Sequence, residues 1–97
     1  MSNSHGTPIW YELATTDAAT SKAFYDGVIG WTIADRSGQP GMDYRMIACP
    51  DGSLAGGMMP LTDEMTAGGA RPGWLFYIGV DDVDAAVTRI EQAGGAV

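Results

Sequence analysis

The chain has 97 residues, of which 45% are hydrophobic, and 12 acidic against 5 basic side chains give it a formal net charge of −7. This length fits one domain, and the hydrophobic fraction is too high for a disordered chain. The acidic balance and the scattered basic residues argue against nucleic acid and against an anionic membrane surface as partners. The sequence contains no apolar run near 18 residues and no signal-like segment, so we expect a cytoplasmic protein.

Residues 8–59 predict a strand, a helix and three further strands. The strands are expected at 8–15, 31–36, 42–48 and 53–59, and the helix between Thr16 or Asp17 and Gly27 or Gly30. Phe24 and Val28 are four residues apart and should form the buried edge of the helix. Gly56 and Gly57 lie inside the last strand, where they indicate a bulge or a close approach of a ligand or backbone.

The pattern begins again after a linker at 60–73. Residues 74–80 predict a strand, and Asp82 precedes an amphipathic helix that closes at Gly94 and Gly95. The segment WYELATTD at 10–17 can be laid over LFYIGVDD at 75–82. In this register Asp17 matches Asp82 and Glu12 matches Tyr77. The chain therefore reads as one module at 8–59 and the start of a second at 74–97.

The first strand carries the most informative side chain. Successive strand residues point to opposite faces, so Trp10, Glu12 and Ala14 share one face while Leu13 lies on the other. A carboxyl group among aromatic rings is desolvated, which favours its neutral form. Glu12 is thus a candidate general acid or base. The alternative is a structural role, in which Glu12 pairs with Arg45 or a tyrosine hydroxyl.

Several motifs together resemble those of the glyoxalase, bleomycin-resistance and extradiol-dioxygenase (vicinal oxygen chelate) superfamily. They are ELATTD at 12–17, FY at 24–25, IGW at 29–31, AGGM at 55–58, and VDDVDAA at 80–86 ending at GG at 94–95. The resemblance implies an α+β fold of βαβββ modules whose concave mixed β-sheet encloses a cavity. On this pattern residues 1–97 form a single glyoxalase-like domain with a truncated second module.

The same resemblance places metal ligands at positions where this chain lacks them. The inward starts of the two modules hold Trp10 and Leu75, and the fourth strand offers Gly57, Met58 and Met59. Divalent metals prefer oxygen and nitrogen ligands, so we predict no metal or other cofactor; a divalent metal is not supported at these positions. The expected cavity wall binds a small molecule through seven side chains: Trp10, Glu12, Trp31, Tyr44, Met58, Leu75 and Tyr77.

Three functions fit this pattern. The first is a metal-independent lyase or isomerase that acts on a small apolar or aromatic molecule with Glu12 as acid or base. The second is a module that binds such a molecule without turnover, as bleomycin-resistance proteins do. The third is a metal-dependent lyase or dioxygenase with displaced ligands. An incomplete sheet leaves an open edge, so we also expect a homodimer that completes it.

Overall fold

The computed structural model describes residues 5–38 and 40–97. Its elements form an α+β fold with a mixed sheet, as the sequence predicts. They are β1 (Pro8–Thr15), α1 (Ala18–Ile29), β2 (Thr32–Ile33), β3 (Arg45–Ala48), β4 (Leu54–Pro60), α2 (Asp63–Ala67), β5 (Gly73–Ile78) and α3 (Val83–Gln92).

The five strands lie in the order β2-β3-β4-β1-β5. β1 runs parallel to β4, while β3 is antiparallel to both β2 and β4. The chain divides into two compact units, one of residues 10–76 and one that includes residues 5–9 and 77–97.

The core of the larger unit lies on one face of the sheet. Leu13, Ile33, Ile47 and Met58 are all buried there, with Ile33 and Met58 at 0% exposure. Leu13 pairs with Met58 across β1 and β4, so both side chains point to the same side. The predicted alternation of β1 is confirmed, since Leu13 faces the core.

Helix α1 begins and ends at two of the residues proposed from the sequence. The Asp17 carboxylate accepts a hydrogen bond from the Thr20 amide at 3.0 Å, and the Gly30 amide donates to the Asp26 carbonyl at 3.1 Å. Gly30 has φ of 85°, in the left-handed region where glycine is favoured. The predicted burial of Phe24 and Val28 is wrong, because they are 56% and 66% exposed.

Lys22 and Asp26 fasten this helix to β2. The Lys22 ammonium contacts the Asp26 carboxylate at 2.6 Å, and that carboxylate accepts a hydrogen bond from the Ile33 amide at 2.9 Å. Burial raises the pKa of Asp26, but the hydrogen bonds from Lys22 and Ile33 outweigh it, so this pKa lies below its ordinary value of 3.8. The bond to Asp26 raises the pKa of Lys22. The pair is charged at neutral pH.

Replacing Asp26 by Asn should therefore destabilise the fold in a pH-dependent way. An acid whose pKa is lowered in the folded state contributes stability above its unfolded pKa and loses it as the pH falls. We expect D26N to lower the free energy of unfolding by about 1 kcal/mol at pH 7, with the deficit shrinking progressively as the pH falls below the ordinary pKa of 3.8. Urea titrations at several pH values measure this. The matched control is D35N, because Asp35 is 81% exposed and lies 3.7 Å from Lys22; an equal deficit there would contradict the prediction.

The smaller unit contains a second helix start like the first. The Asp82 carboxylate accepts from the Ala85 amide at 3.0 Å, with φ of −144° against −142° at Asp17. Asp17 and Asp82, which the predicted register matches, thus cap their helices in the same way, while the repeat itself stays a prediction. In the same unit the amide of Gly6 donates to Gly79, and the amide of Gly79 donates to Thr7.

Three strands are shorter than the sequence suggests, and the predicted linker is structured in part. β2 and β3 cover 32–33 and 45–48 rather than 31–36 and 42–48, and β5 ends at Ile78 rather than Val80. Thr62 caps the short helix α2 within 60–73. Every residue of β5 is exposed at its place at the end of the strand order. The homodimer that would cover this strand stays a prediction. None of the described helices could span a membrane.

Candidate functional site

Three predicted site residues form a chain of hydrogen bonds on the face of the sheet opposite the core. The Trp10 indole N–H donates to the Tyr44 hydroxyl at 2.8 Å, and that hydroxyl donates to Glu12 Oε1 at 2.9 Å. All three residues are half-buried. We call this arrangement the Trp10–Tyr44–Glu12 relay. Its direction requires Glu12 Oε1 to act as an acceptor, and the tyrosine fixes where this oxygen lies.

A glycine makes room for the relay. Glu12 pairs with Gly57 across β1 and β4, and a Cβ atom at Gly57 would occupy the space of the Tyr44 ring. The ring therefore lies over Gly57, beside Glu12. The backbone of Tyr44 is held as well, since its amide donates to Ser37 Oγ at 3.1 Å, and this hydroxyl donates to the Met42 carbonyl at 2.6 Å.

Glu12 also lines a concavity of about 390 Å³. Most of its wall is apolar, and Arg71 is the cation in it. Among the described residues Arg71 forms no ion pair. The remaining lining residues are Ala14, Met59, Leu61, Ala70, Pro72, Gly73, Trp74 and Leu75. An apolar pocket with a few polar groups is typical of small-molecule sites.

The seven predicted binding residues are divided among five places. Trp10, Glu12 and Tyr44 meet in the relay, and Leu75 lines the concavity beside Glu12. Met58 is fully buried in the core, and Trp31 packs against Tyr25 and Trp74. Tyr77 belongs to the smaller unit, where it lines a cavity with residues of α3.

The placement of Met58 and Trp31 on the open face is therefore wrong, for two different reasons. Met58 pairs with Leu13 rather than with Glu12, and a shift of one residue moves a strand side chain to the other face. Trp31 precedes β2, which begins at Thr32. Strand alternation consequently does not set the direction of its side chain.

Glu12 pairs with a tyrosine hydroxyl, which is one of the two structural partners considered from the sequence. The other, Arg45, binds Asp43 instead, with Arg45 Nε 3.0 Å from Asp43 Oδ1. The hydrogen bond from Arg45 lowers the pKa of Asp43. Because Tyr44 holds Glu12 at the rim of a concavity, this pairing is compatible with a structural and with a functional role.

The described residues do not offer a donor set for a metal ion. They contain no cluster of three or more His, Cys, Asp or Glu side chains. Trp10 and Leu75 occupy the positions that the resemblance assigns to ligands, and neither side chain supplies a metal donor. We therefore derive no step through a metal.

Arg71 is the charged residue of the site that the sequence did not predict. It lies in the segment 60–73, which has neither strand nor helix periodicity around it. Its neighbours Ala70, Pro72 and Gly73 line the concavity with it. No sequence pattern marks a lone arginine in a Gly- and Pro-rich segment as a site residue. Arg71 lies beside Glu12 only because of the path that this segment takes in the fold.

Comparison with known proteins identifies the family. The sequence model of the Glyoxalase/Bleomycin resistance protein/Dioxygenase superfamily matches residues 7–97. The chain belongs to this superfamily. The match includes every strand and helix described above. It confirms the resemblance that the sequence motifs indicate.

Two relatives are similar over most of this superfamily member. "Putative glyoxylase CFP32" of Mycobacterium bovis is 36% identical over 92 residues, which is 95% of this chain and 35% of the relative. "Anthracycline biosynthesis protein DnrV" of Streptomyces peucetius is 33% identical over 102 residues, with 95% and 37% of the two chains covered. The chain thus spans about a third of the length of these curated relatives.

Proposed function

We propose that this superfamily member binds a small, neutral aromatic molecule in the concavity beside Glu12. The observation that carries the proposal is the relay, which holds a carboxylate oxygen at the rim of a mostly apolar wall. A ligand that donates a hydrogen bond to Glu12 gains a charge-assisted contact. The net charge of −7 favours neutral over anionic ligands. The names of the two relatives, a glyoxylase and an anthracycline biosynthesis protein, are consistent with a small organic ligand.

The acid–base role of Glu12 extends this proposal to chemistry. A held carboxylate can take a proton from carbon next to a carbonyl group, so that the electron pair of the C–H bond moves to the carbonyl oxygen as an enolate. The positive charge of Arg71 in the same concavity favours the negative oxygen. Return of the proton from Glu12 completes an isomerase-type or exchange reaction. The Tyr44 hydroxyl positions the carboxylate throughout.

Binding is tested with 2-naphthol as the probe. The three tryptophans report separately in a 15N NMR spectrum, and the Trp10 indole signal should move because its N–H belongs to the relay. We expect E12Q and Y44F to weaken binding about tenfold, since each removes a hydrogen bond of a charged group. The control E91Q changes an exposed carboxylate on α3 and should bind as the unmodified chain does.

Two further probes separate the alternatives. 2-Methoxynaphthalene has the same rings but cannot donate to Glu12, so equal affinity for both naphthalenes would refute the role of the carboxylate. Proton exchange is measured as deuterium incorporation into 2-tetralone in D₂O. Exchange that E12Q abolishes supports acid–base chemistry, whereas binding of 2-naphthol without exchange supports the non-catalytic, bleomycin-resistance-like function.

A further inference from the structure

A second group of aromatic side chains lies on the other side of β1. Tyr11 follows Trp10 and precedes Glu12, so its side chain points away from the relay. With Tyr25, Trp31 and Trp74 it forms what we call the aromatic cluster. The ring centroids of the last three lie 5.4 to 6.0 Å apart, at interplanar angles of 33°, 63° and 85°. The ring planes are therefore inclined to one another and do not stack in parallel.

The cluster lines an open concavity of about 330 Å³, which Ile29 completes. Tyr25 and Trp31 are held in place, because they are half-buried and pack against the core. Trp74 is hydrogen-bonded to Tyr25, since its indole N–H donates to the Tyr25 hydroxyl at 3.0 Å. Tyr11 and Trp74 nevertheless remain 44% and 43% exposed. The cluster is thus preorganised and open to a ligand.

The lining determines which ligand chemistry fits. Among the described residues that form it there is no charged side chain, and the bond to Tyr25 already uses the Trp74 N–H. A primary ammonium has three N–H groups to satisfy, and the lining offers at most the hydroxyl oxygens of Tyr11 and Tyr25. A quaternary ammonium has none to satisfy, and the electron-rich faces of Trp and Tyr attract it. The net charge of −7 favours a cation over a neutral molecule of the same shape.

We propose that the aromatic cluster is a binding site for a quaternary ammonium group. This site shares no side chain with the relay, but it shares Trp74 with the concavity beside Glu12. The two sites take ligands of different chemistry, so the quaternary ammonium site does not rest on the proposed function.

Choline tests the proposal, and 3,3-dimethylbutan-1-ol is its uncharged counterpart of equal shape. In a 15N NMR titration of the whole chain, choline should move the indole signals of Trp31 and Trp74 and leave that of Trp10 in place. We expect the uncharged alcohol to bind about tenfold more weakly, since it lacks the cation–π attraction. The reverse pattern, in which Trp10 alone responds to choline, would place the ligand elsewhere and overturn the proposal.

Two substitutions at Trp74 distinguish a cation–π interaction with the ring face from apolar contact with the ligand. W74F keeps an aromatic ring and should retain part of the affinity, whereas W74L keeps only apolar volume and should lose about tenfold. Circular dichroism and the Trp10 signal check that each variant is folded. Equal affinity for choline and the alcohol, equal affinity of W74F and W74L, or no response of any tryptophan would each refute the site.

Discussion

Replacing Gly56 by Ala is expected to cost about 3 kcal/mol or more in the free energy of unfolding. Gly56 is buried in β4 and pairs with Tyr11 of β1, and an added Cβ atom would overlap the carbonyl group of Tyr11. This obstacle is backbone, which no side-chain rotation removes. The parallel strands β1 and β4 would have to separate next to the core pair of Leu13 and Met58. Urea titration followed by circular dichroism measures the loss.

Gly27 is the matched control for this substitution. It lies inside α1, and nothing lies within 4 Å of an added Cβ atom there. Alanine is the better helix former by about 1 kcal/mol, so G27A should leave stability unchanged or raise it. If G56A proved as stable as G27A, the close approach of β1 and β4 would be refuted.

The fold could largely be predicted from the sequence, because the residues at helix ends and within strands indicate the same arrangement of elements. Asp17 and Gly30 have the side chain and the backbone freedom that helix ends need, and both are found at the ends of α1. The helix after Asp82 begins with the same geometry. The two strand glycines at 56 and 57 indicate a bulge or a close approach of a ligand or backbone. The backbone of Tyr11 does lie against Gly56, whereas a side-chain ring lies over Gly57.

The candidate site was only partly predictable, because strand register and loop paths are long-range properties. Within β1 alternation places Trp10 and Glu12 together, since they belong to one continuous strand. Met58 could not be placed this way, because its face depends on which residue of β1 lies opposite. Arg71 enters the concavity through a segment that contains neither a strand nor a helix pattern around it. The course of such a segment in the fold cannot be predicted from the sequence alone.

The exposure of Phe24 and Val28 has a related cause. Their spacing marks an apolar stripe on α1, and the sequence cannot say what covers it. In this chain the residues that pack on the core from this region are Ala18, Tyr25 and Trp31. The stripe thus stays at the surface beside the aromatic cluster, with the ring centroids of Phe24 and Tyr25 5.0 Å apart.

Replacing the neighbouring glycine, Gly57, by Ala should act on the site instead of the fold. The added Cβ atom would meet the far end of the Tyr44 ring, which can rotate away as backbone cannot. We expect a loss of about 1 to 3 kcal/mol in unfolding free energy, smaller than that of G56A. The rotation breaks both hydrogen bonds of the relay, so the Trp10 indole signal should shift in the free protein and 2-naphthol should bind about tenfold more weakly.

A double substitution shows whether Gly57 acts through Tyr44. If the glycine serves only to seat the ring, Y44F already removes what G57A disturbs, and the two effects should not add. We therefore expect the G57A/Y44F chain to bind 2-naphthol as weakly as Y44F alone. Additive losses would mean that Gly57 contacts the ligand directly. An unchanged Trp10 signal in G57A would show that the ring does not lie over β4 in solution. Adjacent glycines in one strand thus have separable roles, because the obstacle at Gly56 is backbone and the obstacle at Gly57 is a side chain.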